Sequence, residues 1–181
     1  MENESKGTFT DPRDGKVYKN VEIGGVVWFA ENLNFAAKGS KCFDNSPDSC
    51  AKYGRLYNWE TALEACPYGW HIPSVDEWKA LVDYAGGKKT AGTKLKSTAG
   101  WNDYKGKSGN GTDDFGFSAL PGGYGNSGGS FYDAGYYGYW WSATEYDADI
   151  ARSRYMYYNT EHVGWDSYLK TFLFSVRCVA N

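Results

Sequence analysis

The sequence has 181 residues, enough for one domain with a hydrophobic core but short for two. A formal net charge of −3 with 23% charged residues leaves no basic footprint for nucleic acid, and no apolar run reaches the length of a membrane span. An aromatic share of 18%, with 16 Tyr, 8 Trp and 23 Gly, favours short strands, tight turns and aromatic surfaces over a helix-rich fold.

In chain order, residues 1–10 read as a polar tail or linker and residues 11–181 as one domain. The opening MENESK has no apolar h-region and is not a signal peptide. Strand signals follow, from Val17 to Ile23 and from Val26 to Ala30, cut by the hairpin-type dipeptides Asp14-Gly15 and Gly24-Gly25. The stretch CFDNSPDSC, Cys42 to Cys50, is rich in Asp, Asn, Ser and Pro and predicts a surface loop. Trp59, Ala62, Leu63 and Cys66 fall at helical spacing, with Pro67 as the stop. A short extended piece, GWHI, leads to Ser74 and Glu77, a capping-box pair opening a helix with a buried stripe of Trp78, Leu81 and Val82 and an end at Gly86-Gly87. Beyond residue 90 helix signals almost vanish. YWWSATEY, ARSRYMYYN and FLFSVRCV read as strands, and the fold class is α+β.

The four cysteines, Cys42, Cys50, Cys66 and Cys178, match no zinc spacing, and His71 and His162 are the only histidines. Two disulfides formed in an oxidising compartment fit better, so the expected location is extracellular or at the cell surface. Three pairings are possible. No motif of nucleophilic, metal-hydrolytic or phosphate-binding catalysis occurs, and no enzymatic activity is expected.

Two features point to binding. The segments GGYGNSGGSFYDAGYYGY (122–139) and RSRYMYYNTEHVGWDSY (152–168) are dominated by Tyr, Gly, Ser, Asn and Asp, the mixture that binding loops favour. From them Tyr124, Tyr132, Tyr136, Tyr137, Tyr157, Trp165 and Tyr168 are the candidate ligand-binding residues; Phe131, Tyr155 and Tyr158 belong to the same pool. The bland alternative is that the tyrosines pack on one another while the glycines serve turns, and both readings stand at this point. The adjacent Trp140 and Trp141 point to opposite sheet faces and are expected in the core. The second feature is NGTDDFG, where Asn110, Asp113 and Asp114 offer hard oxygens for calcium or, alternatively, shape a turn.

The blocks DGKVYKNVEIGGVVWFAENLN, YGRLYNWETALEACPYGWHIPSVDEW, GTDDFGFSALPGG, WWSATE and FSVRCV together resemble the Fibrobacter succinogenes major paralogous domain family, over about Asp11 to Val179. The resemblance implies an exported or surface-lipoprotein domain without established enzymatic activity. More distantly, Trp59 to Cys66 followed by GWHIPSVDEW resembles the C-type-lectin-like fold, and HIPSVDEWKALVDYAGG resembles a run of formylglycine-generating enzymes, which share that fold. The lectin-like resemblance implies a Cys66–Cys178 bridge and so leaves Cys42 for Cys50. The oxidase pattern of paired cysteines near the chain end is absent, so only the fold carries over. Trp101-Asn102-Asp103 copies a lectin calcium tripeptide but lies too far upstream to play that part. The expectation is therefore a non-catalytic extracellular domain that binds polysaccharide through an aromatic surface. The alternative is a structural or adhesive subunit contacting another surface protein, and an oxidase related to formylglycine generation ranks last.

Overall fold

Along Val17–Ile23 (β2) alternation buries Val21 and Ile23 on one face and Tyr18 on the other, while Val17 and Lys19 at the strand's start are exposed. The computed structural model of the protein, which describes residues 6–181, pairs this strand on both sides. Lys6–Thr10 (β1) runs antiparallel to it with Phe9 opposite Tyr18. Residues 6–10 are thus strand and not tail; residues 1–5 lie outside the described residues. The anchor is Phe9, whose ring lies 5.3 Å from that of Trp70, a contact 61 positions away that no local pattern announces. On the other side Gly24 and Gly25, both at positive φ (61° and 80°), close the hairpin to Val26–Phe29 (β3).

Helices fill the next third. The segment expected as a plain loop holds a 3-10 turn, Phe43–Asn45, and a short helix, Pro47–Tyr53 (α1), with Pro in its first turn, where a missing N–H costs nothing. Trp59–Ala65 (α2) is capped by Asn58, whose side chain accepts from the Thr61 N–H. It buries Trp59, Ala62 and Ala65, whereas Leu63, placed on the buried stripe by spacing, is exposed. Trp70–His71 (β4) precedes Val75–Tyr84 (α3), where the Ser74–Glu77 capping box is complete and Trp78, Leu81 and Val82 are buried as the spacing predicts. A five-residue helix, Ala91–Leu95 (α4), interrupts the region expected to lack helix.

The remainder is mostly a second sheet: Gly122–Gly125 (β5), Phe131–Ala134 (β6), Tyr137–Glu145 (β7), Ile150–Tyr157 (β8) and Val163–Leu169 (β9), in the order β6-β5-β7-β8-β9. The final strand, Val179–Ala180 (β10), returns to the first sheet, whose order is β1-β2-β3-β10-β4. FLFSVRCV is therefore not one strand. Leu173 bridges to Gly125 and Ser175 to Trp140 of the second sheet, Phe174 bridges to Tyr57, and only Val179 joins β3 and β4. The segment changes partners as it crosses from one sheet to the other.

Strand β7 serves two cores at once. Trp140 packs with Trp78 and the α3 and α4 side chains; Trp141 packs with Phe174 on the opposite face. Both are fully buried, and each indole N–H has a partner: Trp140 donates to Asn32 Oδ1 (2.9 Å) and Trp141 to the Tyr57 carbonyl (2.7 Å). Two disulfides fasten the fold, Cys42–Cys50 and Cys66–Cys178. The latter ties the end of α2 to the residue before β10 and closes a span of 112 positions. By the loop-entropy argument it stabilises by roughly 5 kcal/mol, against roughly 2.5 for the local bridge. Among the described residues no helix is long and apolar enough to cross a membrane.

Candidate functional site

Alternation in the second sheet sorts the aromatic residues. On β7, Tyr137 and Tyr139 share a face; on β8, Tyr155 and Tyr157 face the same way, set opposite them in register as Tyr139↔Tyr155 and Tyr137↔Tyr157. Tyr168 from β9, Tyr124 from β5 and Phe172 from the following turn extend that face. The rings form one continuous sheet of contacts: Tyr155–Tyr157 stack at 4.4 Å between centroids, Tyr137–Tyr157 approach to 4.3 Å, and Tyr168–Phe172 and Tyr124–Phe172 lie near parallel at 5.8 and 6.1 Å. Tyr139, Phe174 and Trp141 are buried beneath them as a floor, with Tyr139 stacked on Phe174 at 4.9 Å. Tyr124, Tyr137, Tyr155, Tyr157 and Tyr168 are half-buried, packed at the base and open at one side.

A glycine makes the stack possible. Gly164 faces Tyr155 across the β8–β9 ladder, and a Cβ there would sit 1.9 Å from the tyrosine's Cζ. The ring of Tyr155 therefore occupies the space a side chain at 164 would take.

Burial holds the hydroxyls of Tyr124, Tyr139, Tyr157 and Tyr168 protonated at neutral pH. Burial pushes Tyr168 up to about 12, and burial likewise raises Tyr157 and Tyr124. Burial raises Tyr139 further still, and its hydroxyl lies 3.3 Å from that of Tyr157. Nearby Asp133 adds to the shift at Tyr124, and Asp166 adds to those at Tyr157 and Tyr168, so two carboxylates stand by the face. The result is a contiguous cluster of aromatic rings carrying phenol donors and acceptors, flanked by anionic acceptors.

Of the seven expected ligand residues, Tyr124, Tyr137, Tyr157 and Tyr168 meet on this face, and exposed Tyr132 borders it 5.5 Å from Tyr124. Two do not. Tyr136 packs edge-on against Tyr158 at 5.1 Å, and Tyr158 against Tyr104 at 5.5 Å, a group that touches the face only where Tyr158 lies 6.3 Å from Tyr137. Trp165 lies three positions from Tyr168 on β9 and so on the opposite face, exposed, near Arg152 and Arg154. Tyr139, Phe172 and Phe174 were missing from the expectation. The i, i+2 spacing of 137 and 139 carried a signal for the first, whereas the other two reach the face through a turn.

The proposed calcium ligands form a turn. Asp113, at positive φ (49°), accepts from the Ser118 N–H (2.7 Å) and Oγ (2.5 Å), and Asn110 Oδ1 accepts from the Trp101 N–H (2.9 Å). Asp114 contributes its peptide N–H to the Lys94 carbonyl. Among the described residues no group of three or more His, Cys, Asp or Glu side chains is placed to hold a metal ion. His71 bridges structure to structure: Nδ1 lies 2.7 Å from Asn181 Oδ1 and Nε2 2.8 Å from Glu77 Oε1.

Neither curated proteins nor solved structures give a match to this chain. The model of the Fibrobacter succinogenes major domain matches residues 21–180. Its span takes in both sheets from β2 onward, both disulfides and the whole tyrosine face. The two bridges and this match are consistent with an extracellular location. The chain belongs to the Fibrobacter succinogenes major domain family.

Proposed function

We propose that the protein is a non-catalytic extracellular binding domain whose tyrosine face takes up polysaccharide. The observation that carries this reading is the ring array on β5, β7, β8 and β9, with Tyr137, Tyr155, Tyr157, Tyr168 and Tyr124 open on one side over a buried aromatic floor. Pyranose rings present flat C–H faces that pack on aromatic rings, and their hydroxyls pair with phenol and carboxylate oxygens. Neutral phenols flanked by Asp133 and Asp166 suit an uncharged glycan of the cellulose or xylan kind. An array drawn from four neighbouring strands also suits an extended chain better than a single sugar.

We also read the architecture as C-type-lectin-like. Support comes from the Cys66–Cys178 clasp between α2 and the chain end, and from terminal strands that share one sheet. The engagement of all four cysteines in bridges supports ranking the oxidase reading last. A second reading, contact with another surface protein, is favoured by the tyrosine content of the face and by exposed Tyr132 at its border.

Retention on insoluble cellulose and xylan tests the proposal. The wild-type protein is expected in the bound fraction, and a Tyr137→Ala/Tyr157→Ala variant with unchanged circular dichroism is expected to fall at least fivefold. Absence of retention together with concentration-dependent self-association in sedimentation would favour the protein-contact reading.

A further inference from the structure

The opposite face of the same sheet carries different chemistry. Arg152 and Arg154 alternate with Tyr155 and Tyr157 on β8, so the strand that directs tyrosines to one side directs guanidinium groups to the other. There, with Trp165 from β9, Thr144 from β7 and the outer side of α3, they line a groove of about 530 Å³. That size falls in the ordinary range for small-molecule sites. Its charged lining is cationic: Arg152, Arg154, Lys79 and Lys88 against Asp76 and Asp83, in a chain that is net negative. Lys79 and Asp83 satisfy each other at 2.5 Å, which leaves Asp76 against three cations.

Arg154 is the informative residue. It is only 7% exposed, yet its guanidinium makes a single long hydrogen bond, Nη2 to the Val75 carbonyl at 3.4 Å. No fully buried side-chain nitrogen or oxygen among the described residues lacks a partner, so its remaining N–H groups open into the groove. A mostly buried arginine with free donors is a poor core residue and a good receptor for a carboxylate, which takes the guanidinium fork two bonds at a time. Burial lowers the pKa of Arg154, opposed by the charge of Asp83. The Arg152 guanidinium lies over the rings of Tyr146 (4.3 Å) and Trp165 (5.0 Å) and donates from Nη1 to Ser167 Oγ at 3.2 Å. Trp165, 59% exposed, offers an indole surface beside both guanidinium groups.

We propose that this groove binds a carboxylate-bearing sugar ring, a uronic acid within an acidic polysaccharide. The carboxylate pairs with Arg154 and Arg152, the ring lies on Trp165, and Thr144 Oγ1 and Asp76 meet the sugar hydroxyls. The site is separate from the tyrosine face and does not depend on it.

Titration of the ¹⁵N-labelled protein with trigalacturonate, neutral galactotriose, sodium acetate and sodium phosphate tests this. The Trp165 indole N–H resonance, identified by its loss in Trp165→Ala, is expected to shift saturably with trigalacturonate alone. Affinity is expected to fall at least tenfold in Arg152→Gln and in Trp165→Ala as judged by calorimetry, both surface changes that leave the core intact, and also in Arg154→Lys if that variant folds. Tyr137→Ala/Tyr157→Ala is expected to bind trigalacturonate as wild type does, so failure on cellulose and failure here are distinguishable. The proposal is overturned if trigalacturonate produces no shift, if galactotriose binds equally well, or if acetate or phosphate moves the same resonance at the same concentrations.

Discussion

Arg177 shows how single side chains hold the two sheets together. Its side chain is fully buried and donates from Nε to Asn32 Oδ1 (2.9 Å), from Nη1 to the Phe29 and Phe117 carbonyls, and from Nη2 to the Ser118 carbonyl (2.9 Å). Asn32 in turn accepts from Trp140 Nε1 and donates to the Tyr53 carbonyl (2.8 Å), so one arginine–asparagine pair joins β3, β7, α1 and the 117–118 loop. Removing the guanidinium strands several buried acceptors, each costing about 1–3 kcal/mol. Arg177→Ala is therefore expected to destabilise by at least roughly 3 kcal/mol in urea unfolding, and Arg177→Lys to recover little of it, since an ammonium lacks the planar fork. A loss under 1 kcal/mol in Arg177→Ala would contradict this role. Nothing in FSVRCV marks its arginine as buried, because an Arg between strand residues ordinarily points to water.

At the scale of elements, the β8–β9 ladder decides the shape of the tyrosine face through the pair Tyr155 and Gly164. Gly164→Ala forces the Tyr155 ring aside, an overpacking cost of about 1–3 kcal/mol. In a Tyr155→Ala background the same change is expected to cost nearly nothing, a coupling that a double-mutant cycle in denaturant measures directly; equal cost in both backgrounds would contradict the stacked arrangement. Much of this level was legible beforehand. The Ser74–Glu77 box and the stripe at Trp78, Leu81 and Val82 follow from local rules, whereas alternation places Trp140 and Trp141 on opposite faces and only the packing of both faces buries the two. The tyrosine pool in 122–168 was legible too, but not its division. Which of Tyr136, Tyr137, Trp165 and Tyr168 share a face depends on where each strand starts, and a shift of one residue reverses the assignment. The same alternation in RSRYMYY holds the two arginines of the groove, Arg152 and Arg154, opposite the tyrosines. Strand β1 and helix α1 were hidden for another reason: each is short, and each is held by contacts distant in the chain.

For the molecule as a whole, one sheet separates two surfaces of opposite character, tyrosine with carboxylates on one side and guanidinium with indole on the other. Its alkaline limit follows from the tyrosines. Burial raises Tyr18 and Tyr168 to about 12 and Tyr57 and Tyr139 well above the ordinary value near 10. Between about pH 10 and 12 the folded chain keeps protons that the unfolded chain has released. Their contribution to stability is whole below pH 10 and is lost as the pH rises through the folded values. Melting temperature is expected to drop steeply above pH 10, with the share of tyrosinate absorbance that belongs to Tyr18, Tyr57, Tyr139 and Tyr168 appearing together with unfolding and not before it. Early, non-cooperative ionisation of these four, seen as the absence of an absorbance step at unfolding, would contradict their packing.

The central claim, that the tyrosine face is a glycan-binding surface, is met most directly by an array of neutral and acidic polysaccharides probed with the wild-type protein and with Tyr137→Ala/Tyr157→Ala. The account predicts signal on neutral β-linked glycans that disappears in the folded double variant. Silence across every neutral glycan, or identical signal from both proteins, would contradict it.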